Sequence, residues 1–254
     1  MTGKVKYIIL FAMASTTKAK TENLYSKENH ATWEKYFKRQ KALVSKLACK
    51  EFITGSKKLG LDAKHVPNRN AVSERLRRMT GWTLSNAGNK NVSIEDWFIA
   101  MRKREFPVTD FIRPPEHFDY TSKPDLLHEY FGHLPFLTDK KFAKLAQKFG
   151  TMCKKANRRQ LMQISRIWSL CVEFGLVKER GKVKLLGAGL LSSYGEAKFT
   201  AEKIKKGDII PFDLHEVINT AGRTYEWHKK IFVMESISQI DEALTVYGKK
   251  EGLL

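Results

Sequence analysis

Apolar side chains recur at intervals of three and four residues through most of the chain, and this spacing predicts a mainly α-helical protein. The pattern is clearest over residues 142–149 and 161–172, which predicts two amphipathic helices. Further helices are predicted over residues 26–47, 72–79, 95–104 and 237–244, with Gly55 and Gly60 as breaks after the first. Short extended segments are predicted at 82–84, 106–108, 183–186 and 230–234, and an ordered loop at 113–124. The fold class is therefore mainly α with small β elements.

The chain of 254 residues shows no internal repeat, heptad run or linker, so one domain over residues 26–254 is predicted. Residues 1–25 offer little to bury and are expected to form a disordered or processed tail. Lys4 and Lys6 precede a short apolar stretch that ends in Ala12-Met13-Ala14, so a miniature secretory signal is an alternative interpretation.

Composition excludes several classes of protein. The longest run without polar residues, at 7–14, is much shorter than the roughly 20 residues of a membrane-spanning helix. Three widely spaced cysteines suggest neither a disulfide framework nor a thiolate zinc site, and a reducing, cytoplasmic location is expected.

The 46 Lys and Arg exceed the 27 Asp and Glu by 19, a charge that attracts polyanions. Because no nucleic-acid-binding motif accompanies it, the excess is interpreted as a lysine-rich solvated surface, without a specific nucleic-acid partner or a membrane.

Functional side chains are densest over residues 124–135, where two histidines and two carboxylates lie in an otherwise apolar stretch. His128 and His133 are five residues apart, one more than in the zinc-protease motif H-E-x-x-H. In an ideal α-helix this spacing separates them by about 140°, so both rings reach one ion only if the helix distorts or ends between them. Gly132 and Pro135 make such an ending plausible. Ordinary core or surface histidines remain the alternative.

Glu173 is the best candidate for a third ligand. It lies among apolar neighbours, where an uncompensated carboxylate is costly to bury; a buried salt bridge is the alternative interpretation. Two imidazoles and one carboxylate suit a divalent iron with three open coordination positions. A zinc hydrolase that uses Glu129 as base, and a non-catalytic basic binding protein, are the competing functions.

Several strings resemble the pterin-dependent aromatic amino acid hydroxylases, most closely the short bacterial phenylalanine 4-hydroxylases. The strings are YSKENHATW at 25–33, the segment 67–82, FPVTDFIR at 106–113, the cluster around His128, VEFGL at 172–176 and GAGLLSSYGE at 187–196. The resemblance implies the single-domain catalytic fold of that family, with Fe(II) held by His128, His133 and Glu173. It further implies tetrahydrobiopterin and dioxygen as cosubstrates, and ring hydroxylation of a free aromatic amino acid, most simply phenylalanine to tyrosine. Because the family's carboxy-terminal oligomerisation helix has no counterpart, a monomer is expected.

Other roles follow from matching positions in the family. The resemblance places Arg113, Thr121, Pro124, Trp168, Ser169 and Ser192 around the substrate, with the Arg113 fork on its carboxylate, and Trp97, Val92 and Glu129 around the pterin. The chain departs from the family at Ser169, where a second aromatic residue is usual, and at residues 89–91 in the pterin loop. The first departure predicts a wider pocket, so hydroxylation of tryptophan is an alternative to that of phenylalanine, with tyrosine as a further option.

Overall fold

The computed structural model describes residues 24–88, 92–119, 123–220 and 230–254. The helices in this part are α1 (Lys27–Val44), α2 (Lys50–Leu59), α3 (Arg69–Thr80), α4 (Ile94–Arg102), α5 (Leu134–Leu137), α6 (Lys140–Cys153), α7 (Arg158–Ile167), α8 (Ala188–Ser192), α9 (Tyr194–Lys206), α10 (Leu214–Asn219) and α11 (Ile237–Lys250). A 3₁₀ turn lies at Pro115–His117, a first π turn at His128–His133 and a second π turn at Trp168–Glu173. The mainly helical fold class is confirmed.

Two small sheets complete the fold. In the first, β1 (Thr83–Gly88) pairs in parallel with β2 (Glu105–Thr109). The second has the order β4-β3-β6-β5, built from β3 (Leu176–Glu179), β4 (Lys182–Leu185), β5 (Ile210–Pro211) and β6 (Phe232–Met234). Strand β3 runs antiparallel to β4 and parallel to β6, so the chain that leaves the second π turn is anchored in this sheet.

Helix α1 starts as its sequence predicts and reaches the centre of the molecule. Ser26 and Asn29 form a reciprocal capping box that satisfies two free N–H groups of the first turn. Tyr36 donates its hydroxyl to the carbonyl of Ser192 at 2.5 Å, and the Gln40 amide donates to that of Leu191 at 2.6 Å. These two bonds fix α8 against α1.

Gly60 ends α2 in the left-handed conformation, with φ of 58°, as predicted. The predicted break at Gly55 is wrong, since α2 continues through it. A Cβ at position 55 would lie 2.0 Å from the carbonyl oxygen of Pro135. Gly55 therefore serves close packing of α2 on α5, the segment that follows the first π turn.

Several other helix boundaries in the structure differ from those predicted from the sequence. Helix α4 ends at Arg102 rather than 104, because Arg104 has φ of +61° and cannot continue a right-handed helix. The helix predicted over 161–172 is α7 followed by the second π turn. The final helix extends beyond 244 to Lys250. Helix α9 was not predicted, because its buried face holds Glu196 and Thr200 rather than an apolar stripe.

A single hydrophobic core connects the described elements. The predicted apolar face of α6 is buried, and Asp139 caps this helix by accepting from the backbone N–H groups of Lys141 and Phe142 at 2.9 Å. None of the helices in the described ranges combines the length and the apolar character that crossing a bilayer requires.

Candidate metal centre

The two histidines lie on a turn that is wider than an α-helical one. In the first π turn the backbone N–H of Leu134 donates to the carbonyl of Glu129, five residues earlier. This wider turn brings residues five apart to the same side of the helix. The Nε2 atoms of His128 and His133 are 3.0 Å apart, with their ring planes at 88°. The distortion that the spacing required is therefore a π turn, rather than a helix end.

Glu173 is brought to the histidines by the second π turn, in which the N–H of Phe174 donates to the carbonyl of Ser169 at 3.0 Å. Its Oε1 lies 2.9 Å from Nε2 of His133, and its Oε2 lies 3.6 Å from Nε2 of His128. One donor atom from each of the three side chains lies within 4.8 Å of the other two. Glu173 thus lies half-buried beside the two imidazoles, an arrangement that fits both the predicted ligand set and an ion pair.

The donor chemistry of this cluster fits a divalent cation. Neutral imidazole nitrogens and carboxylate oxygens all present lone pairs, which repel one another at 3 Å unless a proton or a cation lies between them. Donor atoms about 3 Å apart are also what ligands at right angles require when their bonds to the ion are about 2.1 Å long. With three protein ligands on one side, such an ion keeps positions for other molecules.

The protonation states favour metal binding. Burial, and next the neighbouring His133, lower the pKa of His128 from 6.5 to about 4. Burial alone raises the pKa of Glu173, but the charges of His133 and His128 outweigh it and lower this pKa to about 2. At neutral pH, His128 is therefore a neutral ligand and Glu173 is an anion, as cation binding requires.

Ser192 of α8 contacts the first candidate ligand, His128. Its Oγ lies 2.8 Å from Nδ1 of His128, so an N–H at Nδ1 leaves the Nε2 lone pair for an ion. Helix α8 can approach because position 132 has no side chain: a Cβ at Gly132 would lie 2.8 Å from the carbonyl oxygen of Ala188. A glycine at position 132 therefore allows α8 to pack closely against the first π turn.

Arg113 forms a buried ion pair with Asp125, a residue to which the sequence analysis assigned no role. The two side chains are 1% and 0% exposed. Asp125 accepts from Nε and Nη2 of Arg113 at 2.8 and 2.7 Å, from the Arg113 backbone N–H and from the N–H of His128. The pair of guanidinium hydrogen bonds that was predicted to hold a substrate carboxylate is thus made to Asp125. The sequence did carry a clue to this ion pair. A buried arginine needs an anion nearby, and Asp125 lies in the cluster of functional residues at 124–135.

Glu129 is buried beside the ligands, and its pKa is raised well above 4.5. Burial is the largest cause, followed by the negative charges of Glu173 and Asp125. This environment favours the protonated form of the carboxyl group, which can donate a hydrogen bond.

Aromatic rings surround the ligands on the side of α4 and β2. Trp168 is 6% exposed, and its indole N–H donates to Oε1 of Glu173 at 2.7 Å. Its ring stacks near His133, with centroids 6.0 Å apart, and meets the half-buried Trp97 edge to face at 4.8 Å. Phe106 of β2 contacts His133 at a centroid distance of 5.2 Å. Trp97 and the candidate metal ligands thus belong to one packed cluster.

The remaining predicted site residues differ in burial, and some lie outside the described residues. Ser169 and Val92 are half-buried, and Pro124 is exposed. Thr121 and the divergent segment 89–91 lie outside the described residues, so their predicted contacts stay predictions.

Comparison with known proteins agrees with this geometry. The sequence model of the family described as Biopterin-dependent aromatic amino acid hydroxylase matches residues 9–251. Phenylalanine-4-hydroxylase of Vibrio cholerae is 32% identical over 91% of this chain and 81% of its own length. The Chromobacterium violaceum enzyme of the same name is 34% identical over 86% of this chain and 73% of its own.

A solved structure extends the likeness from sequence to fold. The crystal structure of Chromobacterium violaceum phenylalanine hydroxylase with bound oxidised Fe(III) matches 89% of this chain and 82% of its own, with a TM-score of 0.82 and 33% identity. These matches confirm both the predicted catalytic fold and the resemblance seen in the sequence. The chain therefore belongs to the family of biopterin-dependent aromatic amino acid hydroxylases.

Proposed function

We propose that this chain hydroxylates the ring of phenylalanine to give tyrosine, with iron held by His128, His133 and Glu173 and with tetrahydrobiopterin and dioxygen as cosubstrates. The observation that carries the proposal is the convergence of these three donors within 4.8 Å, with His133 buried and the other two half-buried. The names of the two relatives support phenylalanine as substrate, and the bound iron of the matching crystal structure supports the metal. When bound, iron and reduced pterin supply the electrons that split dioxygen, while the protein positions the reactants and excludes water.

Arg113 is proposed to bind the substrate carboxylate through Nη1. Asp125 holds the other edge of the guanidinium, whereas Nη1 is buried and has no hydrogen-bond partner among the described residues. A buried N–H without an acceptor costs free energy, which an incoming carboxylate relieves through a charge-assisted bond. Thr121, Pro124, Trp168, Ser169 and Ser192 complete the proposed substrate contacts.

Glu129 is proposed to face the pterin together with Trp97 and Val92. Burial raises the pKa of Glu129 well above 4.5 and so favours the protonated carboxyl group, which is proposed to donate a hydrogen bond to an acceptor atom of the pterin ring. Trp97 offers a half-buried indole on which a flat ring can stack.

We further propose that residues 26–254 are the catalytic unit and that it works as a monomer in the cytoplasm. A net charge of +19 supports the monomer, because like charges oppose association, and three free cysteines in the described residues support a reducing compartment. The same surface is proposed to bind nucleic acid only through non-specific attraction. Light scattering at physiological salt tests the monomer, and a dimer mass would contradict it.

Product analysis tests the reaction. The purified chain receives Fe(II) and reduced pterin with phenylalanine, tryptophan or tyrosine in parallel, and products are separated by chromatography. Tyrosine formed from phenylalanine with the highest kcat/KM is the expected result. Dominant 5-hydroxytryptophan would overturn the choice of substrate, and Ser169→Phe would then be expected to restore the preference for phenylalanine by narrowing the pocket. No product with any substrate would overturn the proposed function.

A further inference from the structure

The indole of Trp168 is bonded to a metal ligand, a contact that its predicted place beside the substrate does not require. We propose that Trp168 is a positioning residue for the metal, acting through its N–H on the carboxylate of Glu173. The bond is 2.7 Å long, and the ring that makes it is 6% exposed. The inference rests on the metal site of the proposed function and adds to it a residue outside the ligand set.

Glu173 needs a restraint of this kind. Its side chain has three rotatable bonds and two equivalent oxygens, and it enters the site from a different segment than the histidines. The indole N–H donates to Oε1 alone, the oxygen that lies 2.9 Å from Nε2 of His133. A charge-assisted bond to one oxygen distinguishes the two and fixes the plane of the carboxylate before an ion arrives.

The donor itself is held in place by its neighbours. The Trp168 ring packs edge to face on Trp97, Phe98 and Phe149, with centroids 4.8, 6.2 and 5.1 Å away. Its other contact is the nearly parallel ring of His133. Rotating the indole away from Glu173 would disrupt this packing, so its N–H points at the carboxylate with little freedom.

The π geometry explains why Trp168 reaches this ligand. Trp168 and Glu173 are the first and last residues of the second π turn, just as His128 and His133 are of the first. In both turns a spacing of five residues places two side chains on one side. The first turn thereby supplies two ligands, and the second supplies one ligand and its hydrogen-bond donor.

An anaerobic titration with Fe(II) tests the proposal without pterin or substrate. Trp168→Phe keeps an aromatic ring and removes the N–H. Trp33→Phe is the matched control, because Trp33 is also buried and its indole donates to the carbonyl of Asp62 at 2.8 Å, outside the metal site. We expect Trp168→Phe to weaken iron binding about 10- to 100-fold, and Trp33→Phe to change it less than about twofold. Equal affinities of wild type and Trp168→Phe would overturn the proposal.

Proton NMR of the indole groups gives a readout on the wild-type protein alone. Zn(II) serves as a diamagnetic probe, and the Trp168 resonance is assigned through its contacts with the Trp97 ring, so no variant has to fold. The Trp168 N–H signal is expected to shift when Zn(II) binds, whereas that of Trp33 stays in place; an unmoved Trp168 signal would overturn the proposal. A wild type that binds no metal would contradict the proposed function as well, whereas an active wild type with an iron affinity unchanged in Trp168→Phe contradicts this inference only.

Discussion

Replacing Asp125 by Asn keeps the shape of the side chain and removes the charge that balances Arg113. Asp125 accepts three hydrogen bonds from Arg113 and one from the backbone N–H of His128, and both members of the ion pair are almost fully buried. Burial alone lowers the pKa of Arg113, but the charge of Asp125 outweighs it and raises that pKa. Because a guanidinium keeps its proton even when it is buried, the arginine stays charged in the variant, without its counterion.

Removing one member of a buried ion pair costs about 3–5 kcal/mol of unfolding free energy. For a chain of this size, each kcal/mol lowers Tm by about 2–4 °C, so Asp125→Asn is expected to lower Tm by about 6–20 °C. Calorimetry and urea denaturation of the metal-free protein measure the change. Because Asp125 also orients Arg113, the KM for phenylalanine is expected to rise in any variant protein that remains folded.

A surface ion pair provides the control for Asp125→Asn. Glu74 bonds to Arg77 and Arg78 on α3, where all three side chains are well exposed, so Glu74→Gln is expected to change stability very little. The double variant Arg113→Gln with Asp125→Asn should be more stable than Asp125→Asn alone, because it no longer buries an unbalanced charge. A loss below about 1 kcal/mol for Asp125→Asn, equal to that of the control, would contradict the stabilising role of the Arg113–Asp125 ion pair.

Three further variants test other parts of the site. Ser192→Ala removes the partner of His128 Nδ1 and is expected to weaken Fe(II) binding about 10- to 100-fold in an anaerobic titration; an unchanged affinity would contradict the orienting role. Glu129→Gln removes a carboxyl group whose pKa is raised on folding, so wild type should lose stability relative to the variant as pH rises above 4.5. Urea denaturation of the two metal-free proteins at pH values above 4.5 measures the difference between their free energies of unfolding. A difference that does not change with pH would contradict the raised pKa. Gly132→Ala places a Cβ 2.8 Å from the carbonyl oxygen of Ala188 and should cost about 1–3 kcal/mol of unfolding free energy; a variant as stable as wild type in urea would show that α8 can move away.

Apolar periodicity predicted the elements whose burial is apolar. Helix α6 buries its predicted apolar face, and α1 begins within one residue of the predicted start at residue 26. Periodicity could not predict α9, because the buried face of this helix holds Glu196 and Thr200. Nor could it predict that the helix continues through Gly55, because the glycine is needed there only for the close approach of the Pro135 carbonyl.

The sequence predicted the candidate ligands His128, His133 and Glu173, whereas it did not predict the contacts that support them. The spacing of His128 and His133 required a distorted helix, and the π turn is that distortion. The bonds from Trp168 to Glu173 and from Arg113 to Asp125 depend on where buried groups find partners, which residue types alone do not specify. Burial imposes those pairings, and they become visible only once the chain is folded.

The most direct test of the proposed metal centre compares tyrosine formation from phenylalanine by wild type and by Glu173→Ala, each with and without Fe(II). We expect iron-dependent product in the wild type, and neither tightly bound iron nor product in the variant, whose far-ultraviolet circular dichroism should stay close to that of wild type. Undiminished tyrosine formation by Glu173→Ala, or by iron-free wild type, would contradict the assignment of His128, His133 and Glu173 as the metal centre.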